Sequence, residues 1–142
     1  MLPLPAATMG GHSQIVRALL DADGSTGHCD YEGDWALVLA TRKSHTEIIR
    51  MLLETRSGDL GVYAYLRSRE EGMSPLHLAV KKNNIQIVRM LLEAGAIVYT
   101  ADVKKRRTPL IEAARRNNVG IANLLLEAAR TWSTRTAVAT PR

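Results

Sequence analysis

One short run of the sequence carries the side chains of a base, a nucleophile and an acid. His28, Cys29 and Asp30 are consecutive. Adjacent side chains of an extended segment point to alternating sides, so these three cannot form a catalytic triad. We therefore expect Cys29 to be a small packing residue. The sequence contains no phosphate-binding glycine-rich loop, no H-E-x-x-H and no G-x-S-x-G motif, and we predict that the protein is not an enzyme.

Two histidines recur at a fixed spacing. His12 and His45 are 33 residues apart, which suggests imidazoles stacked around a metal ion. The ligands of one metal ion converge on a point, whereas equivalent positions of packed helices lie about 10 Å apart. We predict a structural role for both histidines, with no metal site and no cofactor.

The basic residues recur in pairs, at one position of a repeated pattern. With Leu4, Leu37, Leu76 and Leu110 taken as reference leucines, the residues five and six positions later are doubly basic in three cases out of four. The pairs are Met9-Gly10, Arg42-Lys43, Lys81-Lys82 and Arg115-Arg116. Stacked repeats would place these pairs in a row with steps of about 10 Å, close to the Debye length at physiological salt. Their electric fields should add.

The repeated pattern also predicts the elements that carry these pairs. An alanine follows each reference leucine by three residues, and two large apolar residues follow it by fifteen and sixteen. The apolar spacing of Ile48, Ile49, Leu52 and Leu53 is that of one face of an amphipathic helix. A shorter helix precedes it in each unit. Helix starts are expected at Pro3, Pro75 and Pro109, with N-caps at Ser74 and Thr108 and terminators at Gly24 and Gly95.

These motifs resemble the ankyrin-repeat family. The segment from Gly72 to Val80, GMSPLHLAV, is similar to the family pattern G-x-T-P-L-H-x-A-A, and Leu91 to Ala96 match L-L-x-x-G-A. The resemblance covers residues 2–130 and implies an all-α solenoid of stacked helix-turn-helix units with short β-hairpin-like fingers. It also implies that the fingers and inner helices line a concave face. His12, His45 and His77 then occupy structural positions of the repeat.

The predicted domain organisation has four units and a tail. The repeats span about 1–28, 29–68, 69–102 and 103–130, and residues 131–142, which show no helical period, form a flexible tail. Six extra residues within 56–69 lengthen the second unit. Trp35 occupies the N-cap position of that unit. Arg106 stands where the finger glycine belongs, which argues against the usual positive-φ turn there.

The charge is distributed unevenly along the chain. The 142 residues carry a net charge of +5, with seven basic and ten acidic groups in residues 1–71 but twelve and four in residues 72–142. The single cysteine excludes an intramolecular disulfide, and neither a secretory signal nor a membrane-length apolar run is evident. We expect an intracellular protein, cytoplasmic or nuclear, that does not bind membranes.

We predict a non-catalytic protein-interaction module that binds an acidic or phosphorylated protein or peptide on its concave face. The predicted partner-binding residues are Tyr31, Trp35, Arg42, Lys43, Met73, Lys81, Lys82, Lys104, Lys105, Arg107, Arg115 and Arg116. One alternative is nucleic-acid binding through the basic C-terminal corner, which is short of stacking aromatics. Another is an enzyme or small-ligand binder that uses the irregular region around Trp35, His45, Tyr63 and Tyr65.

Overall fold

The chain folds as a series of helix pairs. A computed structural model of the protein describes residues 3–23, 36–54, 73–96, 98, 101 and 105–139. Within these ranges there are eight helices and no strand: α1 (Pro3–Gly10), α2 (Ser13–Asp23), α3 (Ala36–Lys43), α4 (Thr46–Glu54), α5 (Pro75–Lys81), α6 (Ile85–Glu93), α7 (Pro109–Arg115) and α8 (Val119–Ala139). The all-α solenoid that the sequence predicts is confirmed.

The helices stack in two layers. In the first layer α1 contacts α3, α3 contacts α5, and α5 contacts α7. In the second layer α2 contacts α4, α4 contacts α6, and α6 contacts α8. Each helix of the first layer also packs against the helix that follows it in the chain. The larger contacts among the described helices therefore join each unit to its neighbours, as in a solenoid, and the equivalent residues of successive units lie side by side.

The helix starts follow the sequence signals. α5 begins at Pro75 and α7 at Pro109, where a missing amide hydrogen costs nothing because the first amides of a helix have no partner within the helix. The Ser74 hydroxyl accepts from the His77 amide, and the Thr108 hydroxyl accepts from the Ile111 amide. The predicted prolines and N-caps are confirmed at both helices.

A left-handed residue joins the two helices of every unit. It follows the reference leucine by seven residues and is Gly11, Ser44, Asn83 or Asn117, with φ of 72°, 59°, 57° and 55°. In each turn the amide of this residue donates to the carbonyl three residues earlier, and the next amide donates to the carbonyl of the repeated alanine. This is the Schellman arrangement that ends a helix and turns the chain. It fixes where each basic pair lies, directly before the turn.

The core runs without interruption through all four pairs. One cluster of buried apolar side chains extends from Leu4 through Leu37 and Leu76 to Leu125. Three of the reference leucines, their repeated alanines and one face of each outer helix belong to it. Thr8 and Thr41 are fully buried, and each hydroxyl donates to a carbonyl one helical turn earlier, at 2.8 Å. The core is thin and aliphatic, in keeping with a sequence without phenylalanine.

Two expectations about local structure are wrong. Residues 131–139 were expected to lack helical structure, but α8 continues to Ala139. No glycine or proline interrupts the chain between Gly120 and Pro141, and extending an existing helix needs no new nucleus. Arg106 was expected to avoid a positive φ, yet its φ is 54°. The turn before α7 therefore has a left-handed residue without glycine, at a cost of about 1 kcal/mol.

Several predictions lie outside the described residues. They concern the terminator Gly24, the packing of Cys29, the lengthened segment within 56–69, and most of the finger residues. Five candidate site residues also lie there: Tyr31, Trp35, Tyr63, Tyr65 and Lys104.

Candidate partner-binding groove

A basic groove of about 590 Å³ lies at the C-terminal ends of three inner helices. Its lining residues are Arg42, Ser44, Leu78, Lys81, Lys82 and Arg116. We call these six residues the basic groove. Because α3, α5 and α7 are neighbours in the stack, the three repeated basic pairs each contribute at least one side chain to it. The other members of the pairs, Lys43 and Arg115, are exposed but do not line the groove.

The groove has one apolar residue and four cationic side chains. Leu78 is buried and belongs to the core cluster, so it is held rigidly in place. Lys81 and Lys82 follow it at the end of α5 and are exposed to solvent. None of the described residues that line the groove is acidic. Cationic heads that stand on a packed helix end form a surface suited to an extended anionic ligand.

A buried glutamate lies next to the groove and binds one of its arginines. Glu112, on α7, is only 5% exposed. The Nε of Arg116 donates to its Oε1 at 2.8 Å, and an Nη of Arg115 donates to its Oε2 at 3.4 Å. Arg107, from the segment before α7, approaches Oε2 at 3.5 Å. One carboxylate is thus shared by three guanidinium groups, and the cluster keeps a net positive charge.

The protonation of Glu112 is controlled by this cluster. Burial alone raises the pKa of the carboxyl group, but the hydrogen bond from Arg116 and the charges of Arg116, Arg115 and Arg107 outweigh it. The pKa of Glu112 is therefore lowered from its ordinary value of 4.5. The glutamate stays ionised at neutral pH and holds the arginine side chains in fixed positions.

Glu112 was not among the predicted site residues, although its spacing from the two arginines indicated a contact. A glutamate that precedes two arginines by three and four residues on one helix is placed to bind both. From the sequence, Arg115 and Arg116 were expected to be charges open to a partner. In the structure both are bonded to Glu112, so part of their charge is already compensated.

Of the other predicted partner-binding residues, those that the structure describes do not line the basic groove. Met73 was expected to act as an apolar anchor on the surface, but it is buried in the core cluster. Its side chain fills space before α5 and cannot offer a surface contact. Lys105 is exposed, whereas Arg107 is half-buried against Glu112. Tyr31, Trp35 and Lys104 lie outside the described residues.

Two of the histidines, His77 and His45, contact a neighbouring unit. His77 is buried, and its Nε2 lies 2.7 Å from the carbonyl of Arg107 in the next unit. A carbonyl only accepts, so Nε2 carries the hydrogen and Nδ1 accepts from the Ser74 hydroxyl, also at 2.7 Å. The His45 ring lies against Gly11, where a Cβ would come within 2.9 Å of it. Among the described residues no three potential metal-ligating side chains come together.

A second groove, of about 430 Å³, lies in the outer layer between α6 and α8. Leu92, Ala96, Leu124 and Ala128 form its apolar part, and Arg89, Glu93 and Glu127 add charges. His45 does not line it, and Trp35, Tyr63 and Tyr65 lie outside the described residues. A small-ligand site around these four residues stays a prediction.

A family model for ankyrin repeats (3 copies) matches residues 1–64 and 58–135. The chain belongs to the ankyrin-repeat family. Ankyrin repeats generally mediate protein–protein interactions, and members of the family are typically non-catalytic. The curated proteins include none that matches this chain. Of the helices described in this ankyrin-repeat protein, none has the length and apolar character needed to cross a membrane.

Proposed function

We propose that this ankyrin-repeat protein binds an acidic or phosphorylated segment of a partner protein in the basic groove. The observation that carries the proposal is the convergence of Arg42, Lys81, Lys82 and Arg116 on one groove. These residues come from three separate units, and a partner that spans them would follow the direction of stacking. An extended peptide of several residues has the length for such a path.

Charge-assisted hydrogen bonds would provide the contacts. Guanidinium groups bind carboxylates and phosphates in a bidentate way, and lysines add mobile point charges. Because Glu112 fixes Arg116, less side-chain entropy is lost when a ligand binds there. A phosphorylated side chain carries a charge of about −1.5 to −2 at neutral pH, so we expect phosphopeptides to bind more tightly than peptides with carboxylates alone.

The test measures peptide binding by fluorescence anisotropy. The probes are a labelled glutamate-rich peptide, the same peptide with phosphoserines, and a neutral glutamine version. The double variant K81Q/K82Q removes two exposed charges of the groove. We expect it to bind the acidic peptides roughly threefold to tenfold more weakly, because exposed charge pairs contribute about 0.2–1 kcal/mol each.

A matched control removes the same charge elsewhere. Arg17 and Arg50 lie on the outer helices, are about half exposed, and pair with Glu47 at 3.9 and 3.5 Å. The variant R17Q/R50Q should bind the acidic peptides as the wild type does. Equal losses in both variants would show that net charge, and not the groove, determines binding.

The nucleic-acid alternative is one outcome of the same experiment. A single-stranded oligonucleotide of equal charge serves as competitor. We expect weak competition, because none of the described residues that line the groove is aromatic, and stacking of bases on aromatic side chains contributes much of the affinity for single strands. Tight oligonucleotide binding with a steep salt dependence, together with no peptide binding, would overturn the proposal.

A further inference from the structure

The two ends of the helix stack expose apolar side chains at positions that are buried or less exposed in its other units. Eleven residues after the reference leucine, Ile48, Ile87 and Ile121 are at most 1% exposed. The equivalent residue of the first unit, Ile15, is 54% exposed. Leu19, one turn later, is partly exposed, whereas its equivalents in the other units are buried. The structure describes no helix on the side of α1 and α2 that faces away from α3 and α4.

The opposite end shows the reverse pattern. The residue directly after the reference leucine is buried as Pro5, Val38 and His77 in the first three units. In the last unit it is Ile111, which is 45% exposed. Leu126 on α8 is exposed to the same degree, whereas its equivalent Leu20 is 4% exposed and its equivalents Leu53 and Leu92 are partly buried. These positions are buried or partly buried wherever another unit follows in the stack.

We call Ile15 and Leu19 the N-terminal end surface, and Ile111 and Leu126 the C-terminal end surface. Inside the stack, the Ile111 position is buried and the Leu126 position is at least partly buried where a further unit follows. The positions of the N-terminal end surface are covered by the unit that precedes. The two exposed ends are therefore the two halves of the interface by which the units of this chain already pack.

We infer that a second copy of this chain docks its C-terminal end surface onto the N-terminal end surface of the first. Such a contact is heterologous, because two different surfaces meet, and it leaves one open surface at each end of the assembly. It continues the existing stack of units rather than requiring a new kind of packing.

The charges of the two ends favour this arrangement over contact between like ends. Residues 3–23 contain one arginine and two aspartates, whereas residues 105–131 contain six lysines and arginines and two glutamates. Two C-terminal ends would repel each other, but a C-terminal and an N-terminal end carry opposite net charges. The occupant that the surfaces fit is thus another copy in a head-to-tail orientation.

The experiment measures mass by sedimentation equilibrium over a range from micromolar to millimolar protein. We expect the average mass of the wild type to rise with concentration. The variants I15K and L126K each place a charge on one end surface and should remain monomeric. Both sites are exposed, so the fold should tolerate the lysines, and circular dichroism checks that it does.

Mixing the two variants tests the orientation. I15K keeps an intact C-terminal end surface and L126K keeps an intact N-terminal one, so an equimolar mixture should form a dimer and no larger species. The control M9K adds the same charge to the first unit at a position that is Arg42 or Lys81 in other units, and it should associate as the wild type does. A wild type that stays monomeric throughout, or a mixture that fails to dimerise, overturns the inference.

Discussion

At the scale of single residues, Glu112 determines how much of the basic charge is open to a partner. Its carboxylate accepts from Arg116 and Arg115 on its own helix and pairs with Arg107 from the preceding segment. A buried carboxylate of this kind requires its partners, because an unpaired charge in that position would be costly. The residue is therefore a structural counter-ion and also a support for the arginines of the groove.

Replacing Glu112 by glutamine should make the stability of the protein less dependent on acidic pH. The pKa of Glu112 is lower in the folded than in the unfolded chain, so its ionisation stabilises the fold fully above pH 4.5, its ordinary pKa. That contribution is lost as the pH falls through the folded-state pKa. At neutral pH we expect E112Q to be about 1–2 kcal/mol less stable than the wild type, from lost charged hydrogen bonds.

Urea unfolding followed by circular dichroism, at neutral pH and at a series of pH values below 4.5, measures this difference. The gap between wild type and E112Q should narrow as the solution becomes more acidic. Glu54 is exposed at the end of α4, and E54Q should follow the wild-type profile. A gap for E112Q that stays constant across the acid range contradicts the assignment of the charge cluster to this carboxylate.

At the scale of helices and turns, the N-cap side chains of α5 and α7 differ in the number of hydrogen bonds that they make. Ser74 is 3% exposed; its hydroxyl accepts the His77 amide and donates to the His77 ring, which in turn donates to Arg107 in the next unit. Thr108 is half-buried and accepts the Ile111 amide. The same type of cap thus joins two units in one case and begins one helix in the other.

Removing these caps should have unequal costs. We expect S74A to lower the free energy of unfolding by about 2 kcal/mol, since it removes a cap and leaves the buried His77 nitrogen without its donor. T108A should cost about 1 kcal/mol. Chemical denaturation of both variants gives the comparison. Equal costs would mean that the hydroxyl of Ser74 contributes no more than an ordinary cap.

The turn between the two helices of the second unit carries strain that glycine would remove. Ser44 has a φ of 59°, whereas the equivalent residues are glycine or asparagine, which tolerate this conformation. We expect S44G to raise the free energy of unfolding by about 0.5–1 kcal/mol, because the relief of strain exceeds the entropy gained by the unfolded chain. In a thermal melt, N117G should stabilise less than S44G. A lower melting temperature for S44G would contradict this explanation.

Sequence patterns predicted those elements whose residues recur in register and missed the contacts made by single residues. The aligned leucines, alanines and prolines indicated the helix pairs, because these residues occupy equivalent positions in the packing of each unit. The left-handed turns escaped notice, since Gly11, Ser44, Asn83 and Asn117 share a backbone conformation but not a side-chain type. Glu112 escaped because it occurs in one unit only. The prediction for residues 131–139 was wrong because the absence of a clear apolar period was taken to mean the absence of a helix.

At the scale of the whole molecule, the basic groove is a property of the stack and not of any one unit. Arg42, Lys81, Lys82 and Arg116 come from the second, third and fourth units, so their distances depend on how the units pack. The first unit has Met9 at the equivalent position, and this side chain is 40% exposed. The row of charges therefore stops one unit before the N-terminal end of the stack.

Extending that row should strengthen binding of a long acidic peptide. M9R places a guanidinium next in line after Arg42, at a position where three other units already carry arginine or lysine, so the fold should accept it. We expect glutamate-rich peptides to bind up to about fivefold more tightly at low salt, since one exposed pair contributes about 0.2–1 kcal/mol, and the gain should shrink as salt screens it.

A peptide too short to reach from Arg116 to the first unit should show no gain. M9Q is the neutral control, and fluorescence anisotropy with both peptide lengths measures the difference. If M9R raised the affinity for short and long peptides equally, the ligand would not run along the row of units. The added charge would then act only through the general electrostatic attraction of the protein.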